Sequence, residues 1–199
     1  MLLEQKCVFI TGAKGGLGSV VTRAFLDAGA HVAGVSRSIS PEDFPHERFI
    51  PVTADIGTAA GARQALDTAL TEFGRLDAVI HLVGGFTKGQ TVEQTTTADV
   101  ERMLDLNYRS ALTLARVVMP YFRSHSAGRF AAISSRIVEA PAPLTAAYAA
   151  SKAALVALMR TLDEDGRPAG IRASVLLPDT LDEATTRAVT HELLEFAAS

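Results

Sequence analysis

The chain has 199 residues, 48% hydrophobic and 21% charged, which fits one folded domain and excludes a disordered or low-complexity chain. Its formal charge of −3 gives no overall basic field to hold a phosphate backbone, so nucleic-acid binding is not expected. With one cysteine, Cys7, no intramolecular disulfide can form, and a reducing, cytoplasmic setting is expected.

Short apolar runs of strand length alternate with longer stretches of helical spacing. Cys7–Thr11 is the first strand, and its apolar company makes Cys7 a buried structural thiol. A helix over Ser19–Ala28 follows, with Val20, Ala24 and Leu26 at helical spacing. Gly29 stops it before a second strand, His31–Val35. Arg48–Ala54 is a third strand, followed by a helix from about Thr58 to Phe73. Ala78–Val83 is a fourth strand, a long helix covers roughly Ala98 to Ser124, and Arg129–Ser134 is a fifth strand. A helix over about Ala146–Leu162, a sixth strand at Ile171–Leu177 and a helix around Glu183–Ala198 complete the order. Strands that are apolar throughout belong to a parallel sheet covered on both faces. The expected fold is α/β, one domain over residues 1–199, with a doubly wound parallel sheet in three α/β/α layers. The first residues read straight into a strand, without the pattern of a targeting segment. Arg116 and Lys152 interrupt the two most apolar helices, so no membrane span is expected.

Thr11-Gly12-Ala13-Lys14-Gly15-Gly16-Leu17-Gly18 closes the first strand and opens the first helix. Without side chains at such a turn, the backbone can approach a pyrophosphate seated on the free N–H groups of the helix N-terminus. The strand–turn–helix context makes dinucleotide binding a stronger reading than a bland turn. The spacing GxxxGxG (Gly12, Gly16, Gly18) resembles the short-chain dehydrogenase/reductase family, whose domain is of the Rossmann type. The match continues in order to about Pro178.

At the end of the second strand stands Val35-Ser36-Arg37-Ser38. An acid here would bind ribose hydroxyls and repel a 2′-phosphate, whereas arginine accommodates it. Arg37, with Lys14 as a second cation, favours NADP(H) over NAD(H); the bland alternative is solvated surface charge. Asp55-Ile56 resembles the family's adenine-contacting pair, although Asp55 could instead cap the following helix. Val83, Gly84 and Gly85 after strand four, and Pro178 and Thr180 after strand six, complete the cofactor-binding set that the resemblance implies.

Tyr148 and Lys152 lie four apart at the start of a helix, which places both on one face with Cβ atoms about 5–6 Å apart. Ser135 precedes the tyrosine by 13 positions, the family's offset, and Asn107 falls on the long helix where the family's asparagine sits. A free phenol titrates near pH 10, at about 10, and a nearby ammonium favours its phenolate form. The resemblance implies that Tyr148 donates the proton, Ser135 orients the carbonyl oxygen, Lys152 binds the nicotinamide ribose, and Asn107 holds a water linking Lys152 to solvent. Singly, a tyrosine–lysine pair is commonplace, Ser135 could be a turn hydroxyl and Asn107 could cap or pack.

Three departures qualify the match. His81-Leu82-Val83-Gly84 replaces the family's Asn-Asn-Ala-Gly; His81 is expected to pack or bond locally, and no metal site is expected. Pro178-Asp179-Thr180-Leu181-Asp182, with Val83-Gly84-Gly85-Phe86, is similar to the dihydropteridine-reductase-like branch, from whose NADH preference Arg37 departs. Only 21 residues follow Pro178, so a helical lid and seventh strand are not expected, and the open edge of strand six would favour association. The resemblance suggests a homodimer or homotetramer through the helices carrying Asn107 and Tyr148. Two readings follow: a reductase using NADPH on a small carbonyl substrate, or a weakly catalytic NADP(H)-binding sensor or interaction protein.

Overall fold

A computed structural model describes residues 1–199. Six strands form one sheet in the order β3-β2-β1-β4-β5-β6, with every neighbouring pair parallel. They are β1 Cys7–Thr11, β2 His31–Ser36, β3 Phe49–Thr53, β4 Ala78–His81, β5 Gly128–Ile133 and β6 Ile171–Leu176. The order reverses between β1 and β4, so loops leaving their carboxyl ends diverge and open a crevice there.

Alternate strand residues face opposite helical layers. Phe9, Val35, Val79 and Phe130 pack on one face against α2 (Ala59–Phe73), α4 (Ser110–His125) and α5 (Ala146–Gly166). Val8, Ile10, Ile80 and Ala131 pack on the other against α1 (Gly16–Asp27) and α6 (Glu183–Ala198). The three-layer, doubly wound fold expected from the alternation is the one observed. Cys7 is buried, and burial raises its thiol to about 11. No helix is long and apolar enough to cross a membrane.

Two boundaries differ in an informative way. The helix expected over about Ala98–Ser124 is interrupted: α3 is Thr97–Leu104, then Asp105–Arg109 makes a π-helical turn before α4 begins. One extra residue in a turn leaves the apolar spacing on either side almost intact, so periodicity passes over it. β4 ends at His81 rather than Val83, because the chain there leaves the sheet to floor the crevice.

β6 is an edge strand, as expected, but its edge is guarded. The Asp163 carboxylate on α5 accepts the Ala173 N–H at 2.9 Å and is held by Arg172 at 2.8 Å and Arg167 at 2.9 Å. That N–H, turned away from β5, is the group a further strand would need. At Ala173 the edge is thus already occupied by a side chain.

Candidate active site

The glycine turn is built by close approach. Gly12 adopts φ +68°, and a Cβ there would lie 3.2 Å from the backbone of Leu82 and Val83. At Gly18 a Cβ would collide with the Gly12 carbonyl oxygen and lie 2.8 Å from its carbon. The turn can therefore pass under the end of β4 only without side chains at these points. α1 then starts with Gly15 as an extended N-cap, with no side chain capping it and no acid in its first turn. Its uncapped N–H groups and positive dipole end suit a pyrophosphate.

Beside β2 and β3 the crevice encloses about 510 Å³ and is lined by Ser36, Arg37, Asp55, Ile56, Val83 and Gly84, among others. Arg37 is exposed and joins none of the chain's ion pairs. Thr58 caps α2 by accepting the Gly61 N–H at 3.0 Å, so the capping alternative for Asp55 is set aside. Asp55 instead accepts the Gly57 N–H at 3.0 Å and lines the crevice. The groups present fit a dinucleotide: free donors for its phosphates, a carboxylate beside the adenosine end, and an unpaired cation.

Toward β5 the crevice continues for about 350 Å³, sharing Gly12, Gly15, Leu82 and Gly84 with the first half. Gly16, Leu17, Gly18, Gly85 and Pro178 line it, and so do Ser135, Tyr148 and Lys152. Lys152 is 6% exposed and donates to the Ile133 carbonyl at 2.9 Å. Burial lowers its pKa from 10.5 to about 8. Its Nζ lies 5.9 Å from the centroid of the Tyr148 ring, one helical turn back. Ser135 caps the short turn Arg136–Val138 by accepting the Ile137 N–H at 3.3 Å, which leaves its hydroxyl hydrogen to donate.

Asn107 sits inside the π-helical turn, fully buried behind the crevice wall. Its Nδ2 donates to the Gly85 carbonyl and to Ser151 Oγ, both at 3.0 Å, and its Oδ1 accepts the Gly85 N–H at 2.9 Å. Ser151 in turn donates to the Tyr148 carbonyl at 2.8 Å. The amide thus ties the strip after β4 to the helix carrying Tyr148 and Lys152. Wide turns of this kind recur at functional sites.

Two expected cofactor contacts lie outside the crevice lining, Lys14 and Thr180. Lys14 pairs with Asp43 at 2.9 Å, a partner that sequence spacing could not reveal. Thr180 is exposed in the segment after β6, whose Asp179 and Leu181 face the crevice instead. Phe86 was not singled out as a site residue. It lines the reactive half with its ring edge-on to Tyr148, centroids 4.9 Å apart; its place after a strand's carboxyl end was the available signal. His81 bonds locally, as expected, to Thr11 and Ser110.

A doubly wound parallel sheet with this glycine turn and crevice at its switch point has the architecture of nucleotide-binding α/β proteins. The family profile described as short chain dehydrogenase matches residues 6–193, and the chain belongs to that family, whose members include dehydrogenases and reductases of alcohol and carbonyl groups. It is 31% identical over 182 residues to 2,3-dihydro-2,3-dihydroxybenzoate dehydrogenase of Escherichia coli (strain K12), covering 92% of this chain and 72% of that one. It is 27% identical over 192 residues to ipsdienol dehydrogenase of Ips pini, covering 90% and 76%. Among solved structures, 3-ketoacyl-(acyl-carrier-protein) reductase from Brucella melitensis complexed with NADH superposes with TM-score 0.83 at 28% identity, covering 89% and 76%. ElxO with NADP bound shares the fold, with TM-score 0.84 at 22% identity, covering 94% and 79%.

Proposed function

We propose that the chain is an NADPH-dependent reductase of a small carbonyl substrate, with Tyr148 as the proton donor. The observation that carries this reading is one continuous crevice running from the uncapped start of α1 to Ser135, Tyr148 and Lys152. A bound nicotinamide would supply the hydride. Tyr148 gives its proton to the carbonyl oxygen while Ser135 donates a hydrogen bond to the same oxygen. The Lys152 ammonium stabilises the negative charge left on the phenol and donates to the cofactor's ribose. Both Asn107 side-chain N–H groups are taken, so the water that the resemblance assigns to it would donate to the second lone pair of Oδ1.

NADPH over NADH rests on Arg37, an unpaired guanidinium at the end of β2 where the 2′-phosphate would lie. Lys14 contributes only by leaving Asp43, so Arg37 is the principal determinant. Quinonoid pteridines belong on the substrate panel because of the segments after β4 and β6, with ketones, aldehydes and quinones. Association as a homodimer or homotetramer through α4 and α5 is part of the same proposal.

The test is NADPH oxidation across that panel, with Tyr148→Phe beside the parent chain. Turnover of the substrate found should fall roughly 10²–10⁴-fold, while NADPH binding followed by fluorescence stays unchanged. Full turnover by the variant would overturn Tyr148's role.

A further inference from the structure

His81, at the end of β4, faces Thr11 across the β1–β4 ladder and is 1% exposed. Nδ1 lies 2.9 Å from Thr11 Oγ1, and Nε2 lies 3.2 Å from Ser110 Oγ on α4. The hydrogens along this path can be placed from its two ends. Ser110 Oγ is 2.8 Å from the Leu106 carbonyl, which can only accept. Ser110 therefore gives its hydrogen to Leu106 and accepts from the ring, so Nε2 carries the proton. Nδ1 is then the acceptor and takes the Thr11 hydroxyl hydrogen. Thr11 Oγ1 in turn accepts the Leu82 N–H at 3.2 Å. Reversing the path would leave the fully buried Thr11 hydroxyl hydrogen without an acceptor and lose its shortest bond.

The path ends inside the π-helical turn. The Ser110 N–H reaches back to the Asp105 carbonyl, five residues away, and the Ser110 hydroxyl adds a second tie to Leu106 across that wide turn. Asn107 is the next residue, and its amide braces Gly85 and Ser151. We infer that His81 is a positioning residue: a neutral, Nε2-protonated ring that pins the π-helical turn to the end of β4 and so holds Asn107 in place behind Tyr148 and Lys152. Burial, with the charge of Lys152, lowers its pKa from 6.5 to about 3, so the ring stays neutral throughout ordinary working conditions. It does not relay protons, because the path terminates on a carbonyl. The two amides whose absence from the strand-four motif is notable are thus replaced by one ring spanning two hydroxyls.

The kinetic arm of the test rests on the reductase reading; the magnetic-resonance arms do not. In the full chain labelled with ¹⁵N-histidine, one ring should show the Nε2–H pattern unchanged from pH 5 to 9, and that signal should vanish in His81→Leu. If the signal lost in His81→Leu is instead that of an Nδ1–H ring, or titrates in that range, the inference is overturned. Ser110→Ala cuts only the far end and leaves the Thr11 tie, so it keeps the test open should His81→Leu fail to fold. It should speed hydrogen exchange of the Asn107 side-chain amide at least tenfold and lower kcat about tenfold, with NADPH affinity within twofold of the parent. Adding His81→Leu to it should lower kcat no further. Unchanged amide exchange, or kcat losses that multiply, would show that His81 does not act through the turn.

Discussion

The two halves of the crevice are made of different materials. Beside β2 and β3 the walls are backbone and exposed charge: Gly12 and Gly15 of the glycine turn, Asp55 and Arg37. Toward β5 they rest on buried polar side chains, Asn107 bonded to Ser151 and Lys152 bonded to the Ile133 carbonyl, each under a tenth exposed. Backbone geometry can be specified by a few glycines and makes a general anion cradle. Buried side-chain bonds fix one arrangement of reactive groups, and each unsatisfied member would cost free energy. On the proposed function, the first half chooses the cofactor and the second holds Tyr148 and the Lys152 ammonium in one relation.

Breaking the second half should have the largest effect. Lys152→Met should lower turnover roughly 10²–10⁴-fold and also change how stability depends on pH. A lysine whose folded pKa is about 8 against 10.5 unfolded binds more protons in the unfolded state between those values. The lysine's contribution to stability should therefore rise as pH climbs from about 8 to 10.5, while that of the buried Cys7 thiol, raised from 9.0 to about 11, falls from about pH 9 upward. Denaturant titrations between about pH 8 and 9, below the range where Cys7 contributes, should show a rise in the parent and none in Lys152→Met; a rise that persists would mean another group is responsible.

Gly18→Ala probes the glycine turn, whose Gly12 lines both halves, and should be next in size. Its new Cβ meets the Gly12 carbonyl, so stability should fall by ~1–3 kcal/mol and NADPH affinity with it. Wild-type melting and binding would show that the turn relaxes at no cost. The smallest effect belongs to Arg37→Asp, which leaves the fold untouched because the side chain is exposed. It should shift the ratio of NADPH to NADH affinity toward NADH by about tenfold, or roughly 1.4 kcal/mol; an unchanged ratio would remove Arg37 as the discriminator.

Legibility in the sequence divides along the same line. The strands were readable because buried parallel strands are apolar on both faces, and the glycine turn because only close approach demands three glycines at that spacing. Tyr148 and Lys152 were readable because helical geometry alone places them together. What escaped was set by distant contacts. Lys14 bonding Asp43 depends on how the segment after β2 folds back, and the π-helical turn adds a single residue that periodicity cannot register. His81 could be seen to depart from the family motif, but its two hydroxyl partners lie 70 and 29 positions away, beyond any local pattern.

The guarded edge of β6 has a consequence for how this protein behaves in concentrated solution. Arg172 and Arg167 hold the Asp163 carboxyl well below the usual carboxylate range, so it stays ionised and keeps its grip on the Ala173 amide even in mild acid. A neighbouring chain attempting to extend the sheet would have to displace a carboxylate clasped by two guanidinium groups. The lock is local, made by one side chain and requiring no extra strand, and it withholds from an incoming chain one of the amides that an added strand would use.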